Sequence, residues 1–429
     1  KEVVYLSQIY SIKNLLNIKD KNITFTENGI SMENFKGVYS KIIHAKLSYS
    51  PNQCPHCHGK DIIKWGSKTS NIRLLKILEY NSILRLQKQR FRCKDCGKTF
   101  SAETDIVDKN CCISNDVKLA ITLKLQKNIS EKDIASDFNV SPNTVNRIIN
   151  SFFKEHLPNK NYLPQALCFD EFKATNDCEG AMAFIFCNAN NGDITDILPN
   201  RRLSYLKEYF SSFSLEARKK VKHIVIDIYK PYMTLVNDLF PNAKISLDRF
   251  HLVQLINRSF NKTRIKIMNQ CKNKDDRYYN KLKKFWSLLL KNCLDLKTER
   301  INRGRMFDYA LLSEEEIVDI ILSKNNELKI AYEIYQELLI AIQDRKFNNF
   351  KAIIEKYYYV SNEIMKTSLK TFKKYLEYIE NSLTYDYNNG LIEGINRKIK
   401  TIKRTAYGYK SFYHFRAKIL ISNNLLATK

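Results

Sequence analysis

The stretch from 165 to 247 alternates strand-like and helix-like segments, and this alternation constrains the fold more than any other feature of the sequence. Three apolar runs come first (QALCFDEF, AMAFIFCNA and ITDIL), and the NNGD segment at 190–193 is typical of a hairpin turn. A helical segment, the run VKHIVID, a second helical segment and the run AKISL follow. This order predicts an α/β domain with a partly parallel sheet and helices on its faces.

Two aspartates in this block follow strand-like runs, and a glutamate lies near the end of the chain. Asp170 follows ALCF, Asp227 follows HIVI, and Glu393 opens the basic helical segment GLIEGINRKIK. Neighbouring parallel strands end at one edge of a sheet, so the two aspartates are expected close together. Three carboxylates in a site open to phosphate suit Mg²⁺. Each acid taken alone is as readily a helix cap or a surface charge.

Asp248 is the alternative to Asp227 as the second metal ligand. It follows the strand-like run AKISL and precedes His251 by three residues. The run before Asp227 is longer and more apolar, as expected for a central strand, so Asp227 is preferred. Asp248 and His251 are then expected to shape the site from the next strand.

Two Cys-x-x-Cys pairs predict one structural zinc ion. Cys54 and Cys57 form the first pair, Cys93 and Cys96 form the second, and 35 residues separate the pairs. Four thiolates complete the tetrahedral set that structural zinc prefers, so the nearby His56 and His58 are less favoured ligands. Zinc in such a module either replaces a hydrophobic core or also positions a DNA-binding surface, and the two roles are compatible.

Residues 130–150 have the pattern of a helix-turn-helix. Ser130 and Ser141-Pro142 are typical helix starts, and Asn139-Val140 lies between the two helices. The apolar spacing predicts an exposed face at the start of the second helix, where a recognition helix presents side chains to base edges. The residues expected on that face are Asn143, Thr144, Asn146 and Arg147. An ordinary helical hairpin is the alternative interpretation.

The net charge favours nucleic acid as the partner. The chain has 429 residues, and its 71 Lys and Arg against 45 Asp and Glu leave a formal charge of +26. A surplus of this size indicates binding to a polyanion. The sequence has no run of 18 apolar residues and no signal-peptide layout at its start, so neither a membrane span nor secretion is expected. The eleven cysteines do not form a disulfide framework, which favours the cytoplasm.

Several motifs, in this order along the chain, resemble the ISL3-type bacterial insertion-sequence transposases. They are the zinc module, the helix-turn-helix, DEF at 170–172, DIYKPY at 227–232, FPNAKISLDRFH at 240–251 and NNGLIEGINRKIKTIKRTAYGY at 388–409. The resemblance implies an RNase H-like catalytic domain whose DDE triad is Asp170, Asp227 and Glu393. It also implies two Mg²⁺ or Mn²⁺ ions in each catalytic site, metal-dependent cleavage and strand transfer of double-stranded DNA, a homodimer on DNA, and a nucleoid-associated location in the bacterial cytoplasm.

These features together predict a multidomain α/β protein with an all-α insertion. The expected parts are an N-terminal segment without a motif (1–50), a zinc module (51–105), a helix-turn-helix domain (106–160), the first part of the catalytic domain (161–261), the helical insertion (262–385) and the last part of the catalytic domain (386–429). The basic side chains after Glu393 are expected either to clamp the DNA backbone or to form a solvated helix face. They are Arg397, Lys398, Lys400, Lys403 and Arg404.

Two other functions and the role of one tryptophan stay open at this level. The chain could be a DNA-binding regulator with an inert sheet domain, or an RNase H-like nuclease that cuts without joining. Trp286 in the insertion either packs in a core, which is the more usual place for a tryptophan, or stacks on a frayed or flipped base.

Overall fold

The chain folds into two compact units in the computed structural model, which describes residues 12–155, 158–302, 306–307 and 311–423. One unit is Lys1–Leu157 together with Lys400–Lys429, and the other is Pro158–Ile399. The segment 386–429 was expected to belong wholly to the catalytic domain. In the structure its last thirty residues group with the N-terminal part of the chain instead.

The first unit contains a five-stranded sheet. Its strands are β1 (Ile23–Phe35), β2 (Val38–Leu47), β3 (Ile62–Ile77), β4 (Tyr80–Cys93) and β5 (Thr99–Ser101). The order is β1-β2-β4-β3, with β5 also on β4; β2 and β4 run parallel and the other pairs are antiparallel. The segment before residue 50, which carries no motif, therefore supplies two strands to the sheet that contains the zinc module's hairpin.

Four helices of this unit share one apolar cluster. They are α1 (Asn115–Leu125), α2 (Glu131–Asp137), α3 (Pro142–Glu155) and, near the C-terminus, α16 (Phe412–Ser422). The side chain of Ser130 caps α2, and Ser141 Oγ accepts a hydrogen bond from Thr144 N–H at the start of α3, as the sequence predicts. Ala417 and Ile421 of α16 join the apolar cluster of α1–α3, and Lys418 Nζ donates to Leu125 O at 2.7 Å.

The second unit is built on another five-stranded sheet, with the order β10-β9-β6-β7-β8. Its strands are β6 (Ala166–Lys173), β7 (Met182–Asn188), β8 (Ile194–Leu198), β9 (His223–Ile226) and β10 (Lys244–Leu247). The first three are antiparallel neighbours, and β9 and β10 run parallel to β6. Gly192 lies in the β7–β8 turn with φ +76°, a conformation that glycine adopts readily. The strands predicted from 165 to 247 are all present.

Helices pack on this sheet and extend its core. They are α4 (Leu203–Ser211), α5 (Leu215–Lys220), α6 (Lys230–Leu239), α7 (Arg249–Cys271), α8 (Asp276–Lys284), α9 (Trp286–Leu290), α10 (Glu314–Ser323), α11 (Asn326–Gln343), α12 (Phe347–Tyr357), α13 (Glu363–Lys374), α14 (Leu376–Thr384) and α15 (Gly390–Thr405), with a short hairpin of β11 (Ile301–Asn302) and β12 (Leu311–Leu312). One continuous apolar cluster joins the sheet to the helical segment.

The helical segment is connected to the sheet in two places. Helix α7 begins at Arg249 and runs through the expected domain limit at 262. Helix α14 lies along the edge strand β10, where Ser382 Oγ accepts from Leu247 N–H at 2.6 Å and Asn381 Nδ2 donates to Ile245 O at 2.9 Å. These bonds satisfy backbone groups at an edge that would otherwise be open. None of the helices in the described part of the chain has the length and apolar character of a membrane span.

Candidate active site and metal centres

Three aspartates lie at neighbouring positions on three parallel strands: Asp170 is inside β6, just past its last pair with β9, and Asp227 and Asp248 directly follow β9 and β10. Asp227 follows β9, which lies between β6 and β10 in the sheet. Extending the strand pairing by one or two residues places Asp170 on one side of Asp227 and Asp248 on the other. The pairs that set this register are Cys168 opposite Val225, and Leu247 opposite Ile226. The sequence predicted the closeness of Asp170 and Asp227 and a position for Asp248 on the next strand, and the register has all three at the same edge.

His251 joins this edge from the first turn of α7. Its Nε2 lies 3.0 Å from Asp227 Oδ1 and 3.9 Å from Asp248 Oδ2. The ligand atoms of Asp227, Asp248 and His251 all lie within 4.8 Å of one another, one of two such groups among the described residues. The hydrogen bond with Asp227 raises the pKa of His251 above its usual value. An imidazole in this position fixes the orientation of the Asp227 carboxylate.

Asp170 is held by the backbone and by an amide. Its Oδ1 accepts a hydrogen bond from Glu171 N–H at 2.7 Å, and its Oδ2 accepts one from Asn396 Nδ2 at 2.7 Å. Burial, together with the negative charge of Asp227, raises the pKa of Asp170 to about 6. Its negative charge is therefore poorly compensated by the protein itself.

Asp248 has a structural role as well as a place in the site. Its Oδ1 accepts from Phe250 N–H at 3.3 Å, so the side chain caps α7. Burial raises its pKa, and the charges of Asp227 and Glu393 add to the effect. Asp248 therefore lies close enough to both predicted ligands to interact with them, and it also fixes the start of the helix that carries His251.

Glu393 lies in the first turn of α15, as predicted. Its side chain is exposed and accepts a hydrogen bond from Arg397 one turn later, at 2.7 Å. Asn396, one turn after Glu393, is only 7% exposed, and it also donates to Glu171 O at 3.4 Å. Ahead of the helix, Cys168 Sγ donates to Asn388 O at 3.4 Å. These contacts anchor the helix of the third carboxylate to β6, the strand of the first.

Sequence reasoning missed the residues that support the site. Asn396 is one of them, although its spacing of three residues from Glu393 places it near that residue on α15. Glu171 is another: it forms an ion pair with Arg201 and accepts from Tyr232 Oη at 3.1 Å. Glu171 is the second acid of the DEF motif and Tyr232 the last residue of DIYKPY. The sequence signal for these supporting residues was that each of them lies in a motif around a candidate catalytic acid.

The donor set fits a divalent cation. Asp170, Asp227, Asp248 and Glu393 supply carboxylate oxygens, and the described side chains that the structure pairs with them are His251, Asn396 and Arg397. Oxygen ligands of this kind suit Mg²⁺ or Mn²⁺, and His251 adds a nitrogen that Mn²⁺ accepts more readily than Mg²⁺. The pKa values of Asp170 and Asp248 are raised, as expected where a bound cation supplies the missing positive charge.

The four predicted zinc ligands form the second group of ligand atoms. The Sγ atoms of Cys54 and Cys96 are 3.7 Å apart, and those of Cys57 and Cys93 are 3.6 Å apart. A tetrahedral site with Zn–S bonds of about 2.3 Å requires sulfur separations of roughly 3.8 Å. The observed spacing therefore fits a zinc ion held by all four thiolates.

The two Cys-x-x-Cys turns have the same backbone structure. In the first, Cys54 N–H donates to Gly59 O at 2.8 Å and His58 N–H to Cys54 O at 2.9 Å. In the second, Cys93 N–H donates to Lys98 O and Gly97 N–H to Cys93 O, each at 3.0 Å. The residues four positions after the first cysteine, His58 and Gly97, both have positive φ. Two turns of one shape present four thiolates to a common centre.

The exposure predicted for the second helix of the helix-turn-helix pattern holds for three of its four residues. Asn143, Asn146 and Arg147 are exposed on α3. Thr144 was expected to be exposed and is buried. Its hydroxyl lies 3.1 Å from the Oγ of Ser141, the residue that precedes α3, and accepts a hydrogen bond from Arg147. These contacts hold the Thr144 side chain against the first turn of the helix.

The basic residues after Glu393 differ in their surroundings. Arg397 binds Glu393, Lys398 is half-buried with a pKa lowered by burial, and Lys403 lies over the Phe415 ring at 5.9 Å. Lys400 and Arg404 are exposed. Trp286 was expected to pack in a core more often than on a surface; it is 48% exposed at the start of α9, and Phe285 is the buried neighbour.

Known proteins resemble the chain along most of its length. A profile of the ISL3 transposase family matches residues 167–419, and a profile of the zinc finger of transposases IS204/IS1001/IS1096/IS1165 matches residues 50–96. The transposase for insertion sequence element IS1001 of Bordetella parapertussis is 23% identical over 381 residues, which cover 88% of this chain and 90% of the relative.

A second curated relative matches a shorter segment. A protein of Lactococcus lactis subsp. lactis named as an ATP-dependent protease is 38% identical over 117 residues. The match covers 26% of this chain and 36% of that relative, so the chain spans about a third of its length. The transposase profile, by contrast, contains every residue of the candidate active site. The chain belongs to the ISL3 family of transposases.

Proposed function

We propose that this protein binds the inverted-repeat ends of an insertion sequence and catalyses metal-dependent DNA cleavage and strand transfer. The observation that carries the proposal is the line of Asp170, Asp227 and Asp248 at one sheet edge, with Glu393 on a helix anchored to the first strand. The strand order, three antiparallel strands followed by two parallel ones beside the first, supports an RNase H-like catalytic domain.

The roles of the side chains follow from their contacts. Asp170, Asp227 and Glu393 would hold two Mg²⁺ or Mn²⁺ ions, which would activate the attacking oxygen and stabilise the leaving one in an in-line displacement. His251 and Asn396 would orient two of these carboxylates, and Asp248 would hold His251 in place through the cap of α7. The same site would serve water in cleavage and a 3′-hydroxyl in joining, because both steps are phosphoryl transfers.

DNA recognition would fall to the first unit. Asn143, Asn146 and Arg147 would reach base edges from α3. Lys400 and Arg404 at the end of α15 would contact the phosphate backbone. One reaction has to act on both ends of the element, and a homodimer would hold one end with each protomer. Because its substrate is chromosomal DNA, the dimer would act at the nucleoid.

The proposal is tested with a labelled duplex copied from the element's terminal repeat. Wild-type protein with Mg²⁺ is expected to nick the duplex at the repeat and to yield joined products with a target plasmid, and omission of divalent metal is expected to abolish both. A nuclease without joining activity would give hydrolysed ends and no joined product. A regulator would bind the duplex and leave it intact, and this outcome would overturn the enzymatic function.

The charge at the metal site leads to a stability prediction for Asp170→Asn. A carboxyl group with a folded-state pKa of about 6, against a usual 3.8, destabilises the folded protein when ionised. This loss of folding free energy is absent at a pH below the usual pKa of 3.8 and is fully present above about pH 6. At pH 7.5, Asp170→Asn should therefore stabilise the protein by about 2 kcal/mol and raise its Tm by roughly 5 °C.

The measurement is calorimetry in magnesium-free buffer that leaves zinc bound, at pH 7.5 and pH 5. The rise in Tm caused by Asp170→Asn should be smaller at pH 5, where Asp170 is largely protonated in the wild type. Asp238→Asn is the matched control, since Asp238 is a surface aspartate of the same unit paired with Lys207. A Tm of Asp170→Asn at or below the wild-type value at pH 7.5 would contradict the prediction.

A further inference from the structure

The β3–β4 hairpin of the first unit carries a positive surface next to the zinc ligands. Each strand has four Lys or Arg residues and no Asp or Glu, and Glu79 in the turn is the one acid of the hairpin. Arg85 is neutralised by Glu33 at 3.0 Å. Five basic residues lie toward the zinc end of the hairpin: Lys64, Lys68, Lys88, Arg90 and Arg92. Among the described residues, no carboxylate lies within the salt-bridge distance of 4.0 Å from any of them.

Two of these lysines are directly opposite each other. Lys68 of β3 pairs with Lys88 of β4 in the antiparallel register, which brings like charges onto one face at neighbouring positions. Cross-strand pairs of like charge destabilise a sheet. Burial lowers the pKa of Lys88; the charge of Glu103 opposes this shift, and the charge of Lys68 adds to it. An anion bound between the two ammonium groups would remove this repulsion.

A bulge in β3 presents a tryptophan beside the lysines. The register shifts between Lys64 and Ser67, and Gly66 in the bulge has φ +75°, where a side chain would be strained. Gln89 Nε2 donates to Gly66 O at 2.8 Å and fixes the bulge. Trp65 is left 46% exposed, with the guanidinium of Arg92 4.9 Å from its ring centroid. A large aromatic side chain is thus held at the surface by specific contacts.

We propose that this surface, formed by Trp65, Lys68, Lys88 and Arg92, contacts the backbone of duplex DNA. Lys68 and Lys88 would bind one phosphate from two sides, and the Trp65–Arg92 pair would pack on the adjoining sugar–phosphate edge. A two-stranded ribbon fits a groove of duplex DNA, and a row of cations without acids complements its phosphates. The inference rests on the proposed function, in which DNA is the substrate, and assigns part of its recognition to the hairpin.

The first test measures duplex affinity over a range of salt concentrations. Lys68→Ala is expected to weaken binding of the terminal-repeat duplex by about threefold to tenfold and to reduce the slope of log K against log salt by about 1. A random duplex of the same length should show the same loss, because phosphate contacts carry no sequence information. Lys329→Ala, which removes an exposed lysine from α11, is the matched control and should change neither quantity. Equal slopes for the two variants would overturn the proposal.

The second test uses the fact that the chain has two tryptophans, Trp65 and Trp286. In Trp286→Phe all tryptophan emission comes from Trp65, and in Trp65→Phe all of it comes from Trp286. Added duplex is expected to quench Trp65 and to protect it from acrylamide, and Trp65→Ala should weaken binding about fivefold or more with its zinc content unchanged. Unchanged Trp65 emission at saturating duplex would overturn the proposal.

The outcomes separate this inference from the proposed function. If Trp65 and Lys68 variants bind DNA as the wild type does while wild-type protein still cleaves the repeat, the proposed contact between the hairpin surface and DNA is wrong. The transposase function then stands. If wild-type protein binds no duplex at all, the proposed function itself fails. Quenching by an RNA duplex as strong as that by DNA would overturn the assignment to DNA.

Discussion

Asp227→Asn is expected to abolish Mg²⁺-dependent cleavage and joining, with a loss of roughly three orders of magnitude or more in rate. Asp227 lies between Asp170 and Asp248 at the end of the interior strand β9, and His251 fixes its carboxylate. The substitution keeps the shape of the side chain and removes the negative charge that a divalent cation needs. Binding of the terminal-repeat duplex should stay within about twofold of wild type, since α3, the helix proposed to read DNA, belongs to the other unit.

Asp248→Asn is the matched variant one strand away. An asparagine oxygen can still accept from Phe250 N–H and cap α7, so the fold is retained. We expect a smaller loss, about 10- to 100-fold, because the substitution removes the negative charge that lies 3.9 Å from His251 Nε2. Single-turnover cleavage of a labelled duplex measures both variants. An active Asp227→Asn protein beside an inactive Asp248→Asn protein would transfer the role of second ligand to Asp248.

Cys93→Ser is expected to remove the zinc ion and with it at least 100-fold in affinity for duplex DNA. Cys93 is the last residue of β4 and is fully buried, and its Sγ lies 3.6 Å from that of Cys57. Zinc holds the end of the β3–β4 hairpin against the first Cys-x-x-Cys turn. Structural zinc sites contribute about 10 kcal/mol or more to the folding of small modules, so the hairpin should lose its order without the metal.

The measurement combines zinc content by elemental analysis with duplex affinity by fluorescence anisotropy. Cys112→Ser is the matched control, because Cys112 is an exposed cysteine of the same unit and lies outside the four-thiolate group. It should keep one zinc ion per chain and wild-type affinity. A Cys93→Ser protein that retains both would contradict the zinc assignment. Reversal of the loss by added zinc is not expected, since three thiolates and a hydroxyl hold the ion much less tightly.

Local patterns in the sequence predicted the elements well. The apolar runs before Asp170 and Asp227 became β6 and β9, and Ser141-Pro142 began α3 where expected. These features depend on neighbours a few residues away, because strand alternation and helix capping are local interactions. The zinc ligands were predictable for a similar reason, since the Cys-x-x-Cys spacing by itself fits one turn of backbone.

Errors arose where a residue's surroundings come from elsewhere in the chain. Thr144 was expected at the surface and is buried. Of the two places considered for Trp286, the core was the more usual one, yet Trp286 is exposed and the adjacent Phe285 is buried. The first fifty residues carried no motif, yet they contribute two strands to the sheet of the zinc module. No short-range pattern reports which of two adjacent aromatic residues faces inward, or which distant strand a segment will join.

The sequence by itself determined the types of element, the four thiolates and the acids available for a metal site. Tertiary structure alone decided how the supporting groups dock: the strand register set Asp248 level with Asp227, and a partly buried hydrogen bond tied Asn396 on α15 to Asp170 on β6. It also decided that the last helix, α16, packs with α1–α3. Strand register and helix docking are set by burial of apolar surface between segments far apart in the chain, and so they leave no local signature.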